Sequence, residues 1–215
     1  YSKLAALKAE YKTSNNYVGV VSVGDYIQGG SLGAISKGEY IVNLMNKVGY
    51  DALTLGNHEF DYKLDRLDEL VQMMDTKPIC CNFNKIGEEP YFESYSIVSY
   101  GDTDIAYIGV TTPNTITSSS PKQFQDENGD FIYTFNPTTL YDIIQENIDE
   151  VKKMGADYVV ALTHYGYDEF DSYTDEDIID LIESNGVKVK EERGNRIFPV
   201  TDRAEDVLNC FIIFA

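Results

Sequence analysis

The chain has 215 residues, enough for one sizeable domain, with 43% apolar and 25% charged residues, ordinary for a soluble globular protein. Its formal net charge of -19 argues against a nucleic-acid backbone as partner and means an anionic ligand needs local cations to approach. No apolar run reaches the length of a membrane span. The chain opens on Tyr1 in a helical pattern with no visible signal peptide, so processing or truncation of a longer product is expected.

Taken in order, residues 1–12 place Leu4, Leu7 and Tyr11 on one helical face. Residues 17–23 read as a buried strand. Residues 36–48 read as a helix with a stripe of Ile41, Leu44, Met45 and Val48. Ser36 and Glu39 have capping-box spacing, and Gly49 stands at the helix end. A short strand at 51–55 precedes a helix marked by Leu64, Leu67, Val71 and Met74, which stops before Pro78. A third apolar strand is expected at 79–83. Two more, at 93–99 and 104–110, are joined by a turn at Gly101-Asp102.

Residues 111–130, rich in Ser, Thr, Pro and Gly, read as a long loop, functional or mobile. A helix from about 138 to 154 carries Leu140, Ile143, Ile144, Ile148 and Val151. Gly155 ends it, a strand at 157–162 follows, and Thr174 is placed to cap a last helix to about 184. The pattern is α/β, with helices covering a mostly buried mixed sheet. Of the three cysteines, Cys80 and Cys81 are adjacent, a spacing that rarely bridges, and Cys210 is isolated. They are expected as small buried apolar residues.

Three apolar segments end in chemistry-bearing residues: Asp25 after VGVVSVG, Asn57-His58-Glu59 with Asp61 after DALTLG, and His164 after YVVALT. Convergence of these ends at one sheet edge would make a binding site. Each residue also has a plainer reading. An Asp after Gly is commonly a turn or cap residue, Asn tolerates turn conformations, and His58 and His164, the chain's two histidines, can be ligands, acid/base groups or satisfied surface residues.

GDYIQG, then GNHEFDY, then LTHYG, with KGEYIVNLMNKVGYDALTLGNHEFDY and TTPNTITSSSPKQF around them, resemble the calcineurin-like metallophosphoesterases, most closely the 5′-nucleotidase branch. The resemblance covers about residues 1–172; residues 173–215 diverge. It implies an αββα sandwich of two mixed sheets flanked by helices, in one domain spanning 1–215. It also implies a di-metal phosphomonoesterase acting on a small phosphate ester, expected to be a nucleotide. Asp25 would bridge two cations, Asn57 and His164 would serve the second, His58 would contact the phosphate, and Asp61 would hold His58. Glu59 is expected to play a structural role against nearby backbone. Zn, Mn, Fe, Co and Mg all suit such ligands.

The family's location leans to secreted, periplasmic or cell-surface. Its first strand, ending in Asp-x-His, would precede Tyr1. Its Gly-His-x-His or Gly-His-x-Gln turn would fall in SNGVKVKEERGNRIFPVTDRAEDVL, which has no histidine. The chain therefore reads as an incomplete catalytic domain. The competing reading is a non-catalytic scaffold that retains the fold.

Overall fold

The apolar segments become short strands whose ends carry the polar turns. The computed structural model describes residues 1–166, Lys188, and the backbone of 189–192 and 196–199. Two units are distinguished, Tyr1–Tyr165 and Gly166–Ala215. In the second, β8 (Val189–Glu192) pairs antiparallel with β9 (Arg196–Pro199). The helix expected from Thr174, and Cys210, lie outside the described residues.

The first unit opens with α1 (Ser2–Tyr11), then β1 (Val21–Ser22), α2 (Ser31–Ser36), α3 (Glu39–Val48), β2 (Ala52–Leu53) and α4 (Leu64–Met73). It continues through β3 (Asn84–Lys85), β4 (Tyr95–Tyr100), β5 (Thr103–Thr111), α5 (Thr115–Ser118), β6 (Tyr133–Thr134), α6 (Leu140–Lys153) and β7 (Tyr158–His164). β1 runs parallel to β2, and β3 pairs antiparallel with β6. β4, β5 and β7 form a mixed sheet in that order, antiparallel between β4 and β5 and parallel between β5 and β7. The hairpin and the mixed sheet agree with the sequence reading.

Apolar contacts arrange these elements in layers. Val42 and Met45 of α3 and Leu67 and Leu70 of α4 pack on Leu53 and Leu55 and on the aromatic rings of Phe60, Phe83, Phe124 and Phe135. Ala52 and Ile79 meet Tyr107 and Leu162 between the two sheets. Ile108 and Val110, on the other face of β5, meet Leu140, Ile143, Ile144 and Ile148 of α6. The succession is helices, sheet, sheet, helix. β5 is buried on both faces from Ala106 onward, which explains its unbroken apolar run.

Several expectations are corrected. The strands expected at 17–23 and 51–55 contract to two-residue ladders. In place of a strand at 79–83 there is one bridge, Thr54 to Ile79. The reason is that this segment changes sheets: Ile79 N–H donates to Leu53 O at 2.9 Å, and Cys81 N–H donates to Gly109 O at 2.8 Å.

The capping box does not form, because Lys37 (φ 46°) and Gly38 (φ 90°) turn the chain and split the helix. Ser36 Oγ instead accepts from Tyr40 N–H at 3.1 Å, and Glu39 pairs with Arg66 at 3.3 Å. Loop 111–130 holds α5 and a 3₁₀ turn at Pro121–Phe124, anchored by the fully buried Phe124. Helix α1 forms but buries none of its residues; Leu7 and Tyr11 are exposed, and Lys8 ties it to Gly49 O and Asp51. Cys80 and Cys81 are free and buried, as expected.

Candidate metal centre

Each candidate residue sits at or just past the end of a strand. Asp25 follows β1 on a tight loop in which Gly24 has φ 100° and Asp25 itself has φ 58°. Few side chains tolerate that left-handed conformation, and aspartate is among the better ones. Asn57 leads a 3₁₀ turn, His58–Phe60, three residues beyond Thr54. His164 ends β7, opposite Thr111 at the end of β5.

These ends meet. His164 Nε2 lies 3.2 Å from Asn57 Oδ1 and 3.3 Å from Asp25 Oδ2. His58 N–H donates to Asp25 Oδ1 at 3.0 Å. Between the loops stands Gly56, where an added Cβ would overlap Asp25 Oδ1 and lie 2.8 Å from His164 Cε1. A glycine here lets Asp25 and His164 approach this closely.

On the second ring nitrogen, His164 Nδ1 lies 2.8 Å from the Val23 carbonyl oxygen. A carbonyl only accepts, so Nδ1 carries the proton and Nε2 of the neutral ring presents a lone pair. That lone pair faces two oxygens, one from a carboxylate and one from an amide. Three acceptors aimed at one another call for a cation or a second ring proton between them. A carboxylate oxygen, an amide oxygen and an imidazole nitrogen fit a divalent ion, and the Nδ1–H bond to Val23 is how proteins orient a ligating histidine. Among the described residues, no cluster of three or more His, Cys, Asp and Glu side chains is arranged for a metal. The donor set depends on the Asn57 amide as its third member.

The second histidine is differently placed. His58 Nδ1 lies 2.6 Å from Asp61 Oδ2, and the His58 side chain is 41% exposed. The Asp61 hydrogen bond raises the imidazole pKa above its ordinary value, burial opposes it, and the charges of Asp25, Asp61 and Glu59 add to the rise. The ring is thus disposed to carry a proton on a partly exposed side chain.

Glu59 is fully buried. Its Oε2 accepts from Gly56 N–H at 2.6 Å and Asp25 N–H at 2.7 Å, and its Oε1 accepts from Tyr26 N–H at 2.7 Å and Ile27 N–H at 3.3 Å. Burial pushes its carboxyl pKa up; the N–H donors pull the other way, and nearby Asp25 adds to the rise. The sequence points to a structural Glu59 bonded to nearby backbone. Three of its four donors in fact lie more than thirty residues upstream, so this one side chain joins the two motif loops.

The profile of the calcineurin-like phosphoesterase family matches residues 1–190. The chain belongs to that family. Calcineurin-like phosphoesterases use divalent metals. A snake venom 5′-nucleotidase from Gloydius brevicauda is 29% identical over 169 residues, covering 74% of this chain and 26% of the relative. A 2′,3′-cyclic-nucleotide 2′-phosphodiesterase/3′-nucleotidase from Haemophilus influenzae is 31% identical over 184 residues, covering 77% and 26%. The chain thus spans about a quarter of the length of these two relatives.

Among solved structures, the calcineurin-like phosphoesterase YfkN from Bacillus subtilis superposes with a TM-score of 0.66 at 21% identity, covering 98% of this chain and 86% of that one. A putative 5′-nucleotidase from Staphylococcus aureus gives 0.66 at 23% identity, covering 80% and 33%. These likenesses bear out the mixed α/β fold. Among the described residues no helix is long and apolar enough to cross a membrane.

Proposed function

We propose that this chain is part of a metal-dependent phosphomonoesterase of the 5′-nucleotidase type, with Asp25, Asn57 and His164 holding a divalent cation. The observation that carries the reading is His164 Nε2 lying 3.2 Å from Asn57 Oδ1 and 3.3 Å from Asp25 Oδ2, beside a separate His58–Asp61 pair. A divalent cation, when bound, draws charge from phosphoryl oxygens and acidifies a water.

The chain's own residues do the rest. Asp25 and Asn57 supply oxygens from two loops that Glu59 holds together. The His58 imidazolium keeps its proton through Asp61 and donates from Nε2 to charge developing on a phosphoryl oxygen. Substrates are phosphate monoesters of nucleosides, in keeping with the names of the relatives; those named as venom enzymes favour an exported location. The sequence has two histidines, and both are used here, so these residues make a donor set for one ion. That favours, as second reading, an ion-binding scaffold without turnover.

The test is AMP and p-nitrophenyl phosphate hydrolysis by the 215-residue polypeptide with Mn²⁺ or Zn²⁺, compared with Asp25→Asn and His58→Asn. Slow hydrolysis that both substitutions abolish supports the enzyme. Ion binding that needs Asp25, without any turnover, supports the scaffold. Hydrolysis indifferent to both substitutions contradicts each reading.

A further inference from the structure

We propose that Thr111, gripped by Asn82, is the positioning residue that sets the spacing between the Asn57 turn and His164; this rests on reading Asp25, Asn57 and His164 as a cation's donors. Thr111 and Asn82 are both fully buried, and neither belongs to a motif loop. Thr111 is the register partner of His164, and the next residue, Thr112, donates its N–H to His164 O at 2.8 Å. The end of β5 therefore carries the backbone of His164. The Thr111 hydroxyl donates to Leu55 O at 2.6 Å, two residues before Asn57. One side chain thus ties the strand that ends in His164 to the segment that delivers Asn57.

Asn82 holds Thr111 in place. The β4 ladder on β5 ends at Ile108, so Thr111 has no strand neighbour from β4. The Asn82 amide stands in for one: its Oδ1 accepts from Thr111 N–H at 3.0 Å, and its Nδ2 donates to Thr111 O at 2.7 Å. The same Nδ2 donates to Phe135 O at 2.9 Å, so the amide uses its acceptor and both donors. Cys80 Sγ, at 3.3 Å, completes the surroundings of the Thr111 hydroxyl. A buried network with every member satisfied is rigid, whereas a half-satisfied one costs stability. Donor groups of a metal site need placing to within about 0.5 Å, and a cross-tie of this length supplies that between two separate segments.

A merely structural hydroxyl would affect unfolding and leave ion affinity alone, so the test separates the two. Mn²⁺ affinity is measured by calorimetry on the full 215-residue chain and on T111V, T111S, H164A and the core control V110A, with melting temperatures and ¹⁵N shifts of the cation-free His164 ring. T111V is expected to weaken Mn²⁺ binding about tenfold, in line with groups that support metal ligands, and to move the His164 ring shifts. T111S, which keeps the hydroxyl, stays within twofold. V110A melts earlier but binds as the wild type does. If T111V does not fold, T111A removes the same hydroxyl with less bulk and carries the same expectation. Wild-type affinity in T111V while H164A abolishes binding overturns the inference, as does equal weakening by V110A. Binding by H164A as tight as wild type overturns the cation reading itself, and the inference with it.

Discussion

Glu59→Gln removes one of two carboxylate oxygens, each of which accepts two backbone N–H groups. The remaining oxygen can serve one pair. The new amide NH₂ faces the other pair, donor against donor, in a site with no exposure to water. A buried donor left without a partner costs about 1–3 kcal/mol, so two cost about 2–6 kcal/mol. Loss of a buried charge returns part of that, and roughly 2–4 kcal/mol of destabilisation remains. Against the usual 5–15 kcal/mol of total stability this is a large fraction.

The effect is also local and can be read locally. Hydrogen exchange by NMR should show the amides of Gly56, Asp25, Tyr26 and Ile27 protected in the native chain and exchanging far faster in E59Q. The exposed Glu127→Gln serves as control and should move neither stability nor these amides. If those four amides keep native protection in E59Q, the two motif loops are not held by this carboxylate and the reasoning is wrong.

Asp61→Asn removes the leading cause of the raised His58 pKa, so an NMR titration of the metal-free chain should show His58 moving down towards the ordinary 6.5. The sign follows: the His58–Asp61 pair stabilises the native chain fully below the unfolded imidazole value and loses that contribution as pH rises through the higher folded value, so the D61N stability difference should shrink as pH rises from 6.5. Gly56→Ala drives a methyl into Asp25 Oδ1 and towards His164 Cε1, and should both abolish Mn²⁺ binding and cost about 1–3 kcal/mol in urea denaturation. Phe60→Ala empties the centre of a ring cluster in which Phe83, Phe124 and Phe135 lie 5.2, 5.6 and 5.5 Å away, and should cost about 3–5 kcal/mol by the same assay.

The sequence carried the long elements well. Helices α4 and α6 have clear apolar periodicity, strands β4, β5 and β7 lie on segments rich in apolar residues, and the Gly101-Asp102 turn punctuates the hairpin. It failed where tertiary context decides. Residues 79–83 are apolar enough for a strand, yet their backbone bonds split between two sheets, which no local pattern encodes. The Ser36–Glu39 spacing matched a capping box, but two consecutive left-handed residues intervene and Arg66, distant in sequence, claims Glu39.

In the candidate site, the Asp25, Asn57 and His164 positions were legible because each closes an apolar run, whereas the His58–Asp61 pairing was implied by the resemblance of GNHEFDY to the family motif, and the two side chains do meet. The reach of Glu59 to the Asp25 loop was not, since its partners are backbone amides more than thirty residues upstream. Thr111 and Asn82 gave no signal at all. A threonine at the start of a Ser/Thr-rich stretch and an asparagine after two cysteines look like loop residues until their partners are seen.

Mn²⁺ titration of the 215-residue chain, followed by paramagnetic broadening in ¹H–¹⁵N spectra, tests the central claim most directly. The His164 ring nitrogens, the Asn57 side-chain amide and the Asp25 backbone amide should broaden first and together, below one equivalent, and His164→Ala should abolish the effect. Broadening centred elsewhere, such as on the acidic Asp126–Asp130 turn, or broadening unchanged in His164→Ala, would contradict it.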